Sequence, residues 1–218
     1  MAMKHKSVST AHRVKELIET FDTDRIFSTQ ELLREINFGS RNSIDLALTR
    51  LVKERIITRL ARGVYAKTGV NPDKITPVSI ATTKAKAFGK TIYSSGVDAS
   101  LKVGITSDEP VVCNTGMDQS KHINVYTFYT SGSSSSFKFD NNTILFKSAS
   151  HRKRELPDDV SGIVLKAVWH QGSSNIARTK VKARFIALNQ KKDELQDFRS
   201  YIRNLPKWIV KNLYPAIA

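Results

Sequence analysis

The sequence predicts an α+β protein made of two parts, and three observations carry that prediction. Apolar residues recur at helical spacing three times before residue 55; two β-prone runs follow directly; and helical and strand-like runs intermingle from residue 78 to the end. Between these regions "KTGVNPDKITP", residues 67–77, is punctuated by Gly69, Pro72 and Pro77. A length of 218 residues suits one large domain or two small ones, each able to bury a core. The expected division is a first domain over 1–70, a linker over 71–77 and a second domain over 78–218.

The first helix is expected over "TAHRVKELIETF", residues 10–21, where Val14, Leu17, Ile18 and Phe21 share a face. In "FSTQELLREI", Ser28 and Glu31 have the spacing of a capping box: hydroxyl to one backbone N–H, carboxylate back to another. Leu32, Leu33 and Ile36 give the second helix its apolar face, and Asn37-Phe38-Gly39 ends it. Ser40 or Asn42 can cap a third helix, whose Ile44, Ala47, Leu48 and Leu51 fall on one side. The turn of an α-helix then gathers Asn42, Leu46, Thr49, Arg50 and Lys53 on the other. After Arg55 the period becomes two. "IITRL" and "VYAK" are joined by Ala61-Arg62-Gly63, where glycine supplies the positive φ that a tight hairpin favours. Three short helices and a hairpin in this order have the layout of a winged helix-turn-helix. There the third helix enters the major groove and the hairpin reaches the backbone or minor groove.

Charge points the same way. The chain carries 35 Lys+Arg against 20 Asp+Glu, a formal +15, and that excess suggests an anionic partner. The residues that core packing leaves unexplained are the candidate DNA contacts. Arg41, Asn42 and Ser43 open the third helix, where backbone N–H groups also favour a phosphate. Thr49, Arg50 and Lys53 continue its outer face, and Arg59 and Arg62 lie on the hairpin, where a guanidinium suits a narrow minor groove. Any one of these is as well explained as a solvated surface charge. The set, in this helix order, favours DNA. Asp45 and Glu54 oppose it unless they pair with Arg41 or Arg50 or sit at the rim.

The run "FGSRNSIDLALTRLVKERIITRLARGVYAK" resembles the N-terminal domain of AbiEi-type antitoxins of type IV toxin–antitoxin systems and their uncharacterised relatives. The resemblance rests on Gly39-Ser40-Arg41, Ile44, Ala47-Leu48, Arg50-Leu51, Ile57, Arg59-Leu60 and Arg62-Gly63-Val64-Tyr65, and extends more loosely through "PKWIVKNLY". It implies an antitoxin that also represses its own operon from an operator with inverted repeats. The implied partner is a nucleotidyltransferase-like toxin, countered without a stable complex.

In the second domain "VSIATTKAKAFGK" reads as a helix, and "TIYSSGVDASLKVGI" as a strand, a turn at Ser94-Ser95-Gly96 and a short helix. Ser94 stands where the resembling proteins carry proline. "NVYTFYTSG", "SSFKFD" and "TILFKSA" are β-rich, with a turn at Asp140-Asn141-Asn142; "SGSSSS", residues 131–136, reads as a mobile loop. "PDDVSGIVLKAVWHQG" opens a helix with two acids, and the tail forms one or two helices broken at Pro206.

No nucleotide-binding, hydrolase or metalloprotease motif occurs, and His122, His151 and His170 lack neighbours at metal-ligand spacing, so neither enzyme nor cofactor nor metal is expected. Cys113 reads as a small buried hydrophobe in a reducing compartment, and no run reaches membrane-spanning length, so a soluble intracellular protein is expected, and the resemblance implies a bacterial cytoplasm. Two basic clusters, Arg152-Lys153-Arg154 and Arg178, Lys180, Lys182 and Arg184, offer a secondary contact with nucleic acid or a partner, or a solvated face. Two other classes therefore stay open: an RNA- or tRNA-binding protein using those clusters, and a protein–protein adaptor without DNA sequence specificity.

Overall fold

The computed structural model describes residues 9–37, 39–104, 124–174, 201 and 205–213. They form helices and strands in sheets, an α+β fold. In the first part, α1 (Thr10–Thr20) is capped by the Ser9 hydroxyl and buries Val14 and Ile18. β1 (Ile26–Ser28) follows, then α2 (Thr29–Ile36), opened by the expected capping box: Glu31 N–H donates to Ser28 Oγ at 3.2 Å, and Ser28 N–H to Glu31 Oε2 at 3.4 Å. Asn37, at φ 49°, ends that helix in the left-handed region. Ser40, rather than Asn42, caps α3 (Arg41–Lys53), which buries Ile44, Ala47, Leu48 and Leu51 as its spacing predicts. β2 (Ile57–Ala61) and β3 (Val64–Lys67) form the expected hairpin, with Gly63 at φ +76° in its turn and a register shift between Arg59 and Ala61.

Two features of this part differ from the sequence expectation. β1 pairs antiparallel with β3, Phe27 opposite Tyr65, giving a three-stranded sheet in the order β1-β3-β2. A three-residue strand shows no alternation to detect, and its Ser28 doubles as a helix cap. The division of the chain also lies elsewhere. The described residues form two compact units: residues up to Thr91 with 137–140, and Ile92–Ser136 with residues from Asn141 onward. The 71–77 segment is therefore not a boundary. Val70 N–H donates to the Lys67 carbonyl, Asn71 N–H to Asp24 Oδ1 at 3.1 Å, and Pro72–Lys74 make a 3₁₀ turn. Thr76 and Ser79 then close a capping box on α4 (Pro77–Ala87), with Pro77 at the first helical position. This helix buries Ile80, Ala81, Ala85 and Ala87 within the first unit, against β1, α2 and β3. Proline and glycine signal turns, and a turn within a domain uses the same residues as a linker.

The core of this unit gathers Val14, Ile18, Phe21, Phe27, Leu32 and Ile36 with the buried face of α3, Ile57 and Tyr65. Phe27 meets Phe21 edge-on at 5.2 Å and stacks on Tyr65 at 6.1 Å.

The second unit holds β4 (Ile92–Ser94), α5 (Gly96–Lys102), β5 (Asn124–Thr130), β7 (Asn142–Ser148), α6 (His151–Arg154), α7 (Val160–Gln171), α8 (Lys207–Leu213) and the start of β6 (Ser135–Phe139), whose last three residues group with the first unit. Its sheet runs β4-β5-β7-β6, with β4 antiparallel and β7 parallel to β5. Asp140, at φ +48°, makes the turn expected there. Ser131, Gly132 and Ser134 are drawn into a connection in which Ser148 N–H donates to Ser134 Oγ at 2.9 Å, and Ser135 and Ser136 belong to β6 rather than to a loop. α5 packs on α7 closely enough that a Cβ on Gly96 would lie 2.5 Å from the His170 Cβ. Ala99, Val103, Val164, Leu165, Val168, Leu205 and Ile209 make up most of the core. Within it the Lys166 side chain is only 2% exposed; its ammonium donates to Asp158 Oδ1 at 2.5 Å and to Ser94 Oγ at 3.0 Å, and the Ser94 hydroxyl donates to the same carboxylate oxygen. Cys113, His122 and the expected tail helix before residue 201 lie outside the described residues, as do Arg178, Lys180, Lys182 and Arg184.

Candidate nucleic-acid interface

Because α3 spends Ile44, Ala47, Leu48 and Leu51 on the core, its opposite side is left to solvent. Arg41, Asn42, Thr49, Arg50 and Lys53 are all exposed there, while Ser43 is half-buried. Ser43 serves the helix cap: its N–H donates to Ser40 Oγ at 3.2 Å, and the two hydroxyls lie 3.0 Å apart. Thr49 Oγ1 donates to the Asp45 carbonyl at 2.7 Å, so its hydroxyl has only acceptor capacity left to offer. Asp45, the carboxylate that argued against DNA, lies 3.8 Å from Arg41 Nε in an exposed pair. Such a pair is weak and screened. In the middle of this face stands Leu46, 61% exposed, an apolar side chain that no core claims.

Arg59 and Arg62 are exposed on the hairpin. Arg62 does not stand with the α3 face alone. Together with Arg41 it lines a cleft of about 230 Å³ whose other walls are Thr29 and Gln30 at the start of α2, Gly63, and Lys84, Ala87 and Phe88 from the end of α4. The Lys84 ammonium donates to the Arg62 carbonyl, which pins α4 to the hairpin tip. Partial burial, and then the charges of Arg62, Arg41 and Arg59, hold the Lys84 pKa below its usual value. Among the described residues no carboxylate lies within ion-pair distance of Arg59, Arg62 or Lys84.

The sequence reading thus left out Leu46, Lys84 and Phe88. Helical spacing places Leu46 on the outer face, but an apolar side chain carries no charge signal for an anionic partner. Lys84 reaches the hairpin only through the docking of α4, for which the local sequence carries no signal. The 151–154 cluster has a different character from the α3 face. Arg152 Nη2 donates to the Leu205 carbonyl at 3.4 Å, the Lys153 ammonium lies 5.1 Å over the Trp169 ring, and Arg154 Nε donates to the Ala149 carbonyl at 3.1 Å. These cations are partly committed to the packing of their own unit.

A family model described as "Family of unknown function (DUF6088)" matches residues 13–196, most of the chain. The chain belongs to this family. The DUF6088 match takes in the whole of α3, the hairpin, the cleft and the 151–154 cluster. No curated protein and no solved structure matches the DUF6088 chain at significance. Among the described residues, no helix is long and apolar enough to cross a membrane, and no three His, Cys, Asp or Glu side chains are grouped to hold a metal ion.

Proposed function

We propose that the N-terminal unit is a winged helix-turn-helix that binds double-stranded DNA, and that the chain is a transcriptional repressor of its own promoter. In this reading α3 lies in the major groove and the β2–β3 hairpin follows the adjoining backbone or minor groove. The observation that carries it is the division of α3: its inner side is wholly core, while Asn42, Leu46, Thr49, Arg50 and Lys53 share the outer side. These are types suited to base edges: amide and guanidinium for hydrogen bonds, hydroxyl for either, and leucine for a thymine methyl. The α1-β1-α2-α3-β2-β3 order supports it, as do the basic hairpin residues Arg59 and Arg62.

Affinity for the promoter of its own gene and for a random duplex, each across a range of salt, tests this. Tighter promoter binding, with a salt slope in both cases, is the expected result. Equal affinity for the two would remove the repressor function and leave only phosphate binding.

The further role as a cytoplasmic antitoxin rests on the resemblance of residues 38–67 to AbiEi-type antitoxins. Its partner is then a nucleotidyltransferase-like toxin countered without a stable complex. Co-expression with a toxin candidate from the same operon, scored by growth rescue, tests it; rescue that survives loss of DNA binding would place the activity in the second unit.

A further inference from the structure

The cleft bounded by the start of α2, the hairpin tip and the end of α4 is built unlike a solvated basic surface. Three cations, Arg41, Arg62 and Lys84, come from three separate elements to line one small volume, without a carboxylate to balance Arg62 or Lys84 among the described residues. Mutual repulsion among them costs stability unless an anion occupies the space between. The walls supply further donors. In the first turn of α2, Glu31 N–H is taken by Ser28 and Thr29 N–H by the Gly63 carbonyl at 3.1 Å, so the Gln30 N–H remains at the positive end of the helix.

Thr29 supplies an independent observation. It is 3% exposed, lines the cleft, and its Oγ1 is a buried polar atom without a hydrogen-bond partner. Such orphans are rare because an unmet hydroxyl is costly. Gly63, whose φ of +76° favours glycine, lies beside both groups: a Cβ there would sit 3.6 Å from Thr29 Oγ1 and 3.9 Å from Lys84 Nζ, in ordinary contact. The Lys84 ammonium uses one donor on the Arg62 carbonyl and has two more to offer.

We propose that this cleft is a phosphate-binding site, in which Arg41, Arg62 and Lys84 supply charge and the Gln30 N–H and Thr29 hydroxyl supply directed hydrogen bonds. The phosphate belongs either to a DNA backbone or to a free phosphoryl compound; the site chemistry is the same. This assignment does not depend on α3 reading base sequence.

The test is an NMR titration of the full chain with inorganic phosphate at constant ionic strength, with chloride as control, followed at the amides of Thr29, Gln30 and Gly63. Saturable shifts specific to phosphate are expected. Thr29→Val and Lys84→Met should each weaken binding about tenfold, the usual scale for a hydrogen bond to a charged group. Thr29→Val should leave the melting temperature unchanged or raised, because its hydroxyl has no partner to lose, whereas a structural hydroxyl would lower it. Arg62→Gln, on an exposed side chain, gives the same answer if Lys84→Met fails to fold. A short duplex added to the phosphate-bound protein separates the two sources. Displacement assigns the site to a backbone phosphodiester, and continued occupancy beside the duplex assigns it to a free phosphoryl group. If phosphate moves these amides no more than chloride does, or if the variants bind undiminished, the site is refuted. If the duplex binds while the amides respond to neither ligand, the site fails and DNA recognition through α3 stands.

Discussion

At the residue scale, positions on the outer face of α3 and on the hairpin are expected to behave differently according to what each can offer DNA. Arg62→Ala removes a backbone or minor-groove charge and should weaken binding to all duplexes alike, with a shallower salt dependence. Asn42→Ala or Arg50→Ala should instead cost about 1–3 kcal/mol on the promoter and little on random DNA, read as relaxed sequence preference in a competition assay. Leu46→Ala belongs with the second group. An exposed leucine contributes little to stability, so an intact melting temperature with a reduced preference is its expected signature. If none of these changes alters binding while the fold persists, the interface lies elsewhere. These outer-face residues were legible in the sequence because helical geometry fixes which side chains oppose Ile44, Leu48 and Leu51. Ser43 differs from them for an equally local reason, its half-burial beside the Ser40 cap.

At the element scale the clearest forecast concerns α3, which serves core and surface at once. Leu48 is fully buried, and Leu48→Ala should destabilise the first unit by about 2–5 kcal/mol in denaturant unfolding. Ser28→Ala should cost about 1 kcal/mol, because the hydroxyl that accepts from the Glu31 N–H is lost while the Ser28 N–H keeps its bond to the Glu31 carboxylate. In the second unit, pH reports on the Asp158 contact. Partial burial would raise its pKa, but hydrogen bonds from Lys166 and Ser94 and the charges of Lys166 and Lys102 outweigh burial and hold it below 3.8. A carboxyl with a depressed folded pKa stabilises above its unfolded value and loses that contribution as pH falls through the folded one. The melting temperature of this unit should therefore drop below about pH 4, by less in Asp158→Asn than in the parent chain. The helices other than α6, the hairpin and the strands β4 to β7 were legible from the sequence pattern. The parallel pairing of β5 with β7 was not, since register is fixed by side-chain packing between distant segments.

For the whole molecule, the position of α4 decides where the chain can be divided. Proline and glycine at 69–77 invite a cut that would strip away Ile80, Ala81, Ala85 and Ala87 and with them the cover over β1. A fragment ending at Thr91 should unfold cooperatively, whereas one ending at residue 76 should melt at a lower temperature; equal melting would show that α4 is dispensable to the first unit. The same difference matters for function, because only the longer fragment keeps Lys84 beside Arg62. The candidate cleft was illegible for this reason: it joins side chains from α2, α3, the hairpin and α4 that no sequence spacing relates.

Among the described residues Lys166 is the sole buried lysine, on a chain otherwise dense with surface amines. An acylating reagent would therefore modify the exposed lysines first and reach this amine when α7 separates from its surroundings. The rate at which Lys166 becomes labelled is a clock for the opening of the second unit, readable by mass spectrometry on a natural side chain without any introduced probe.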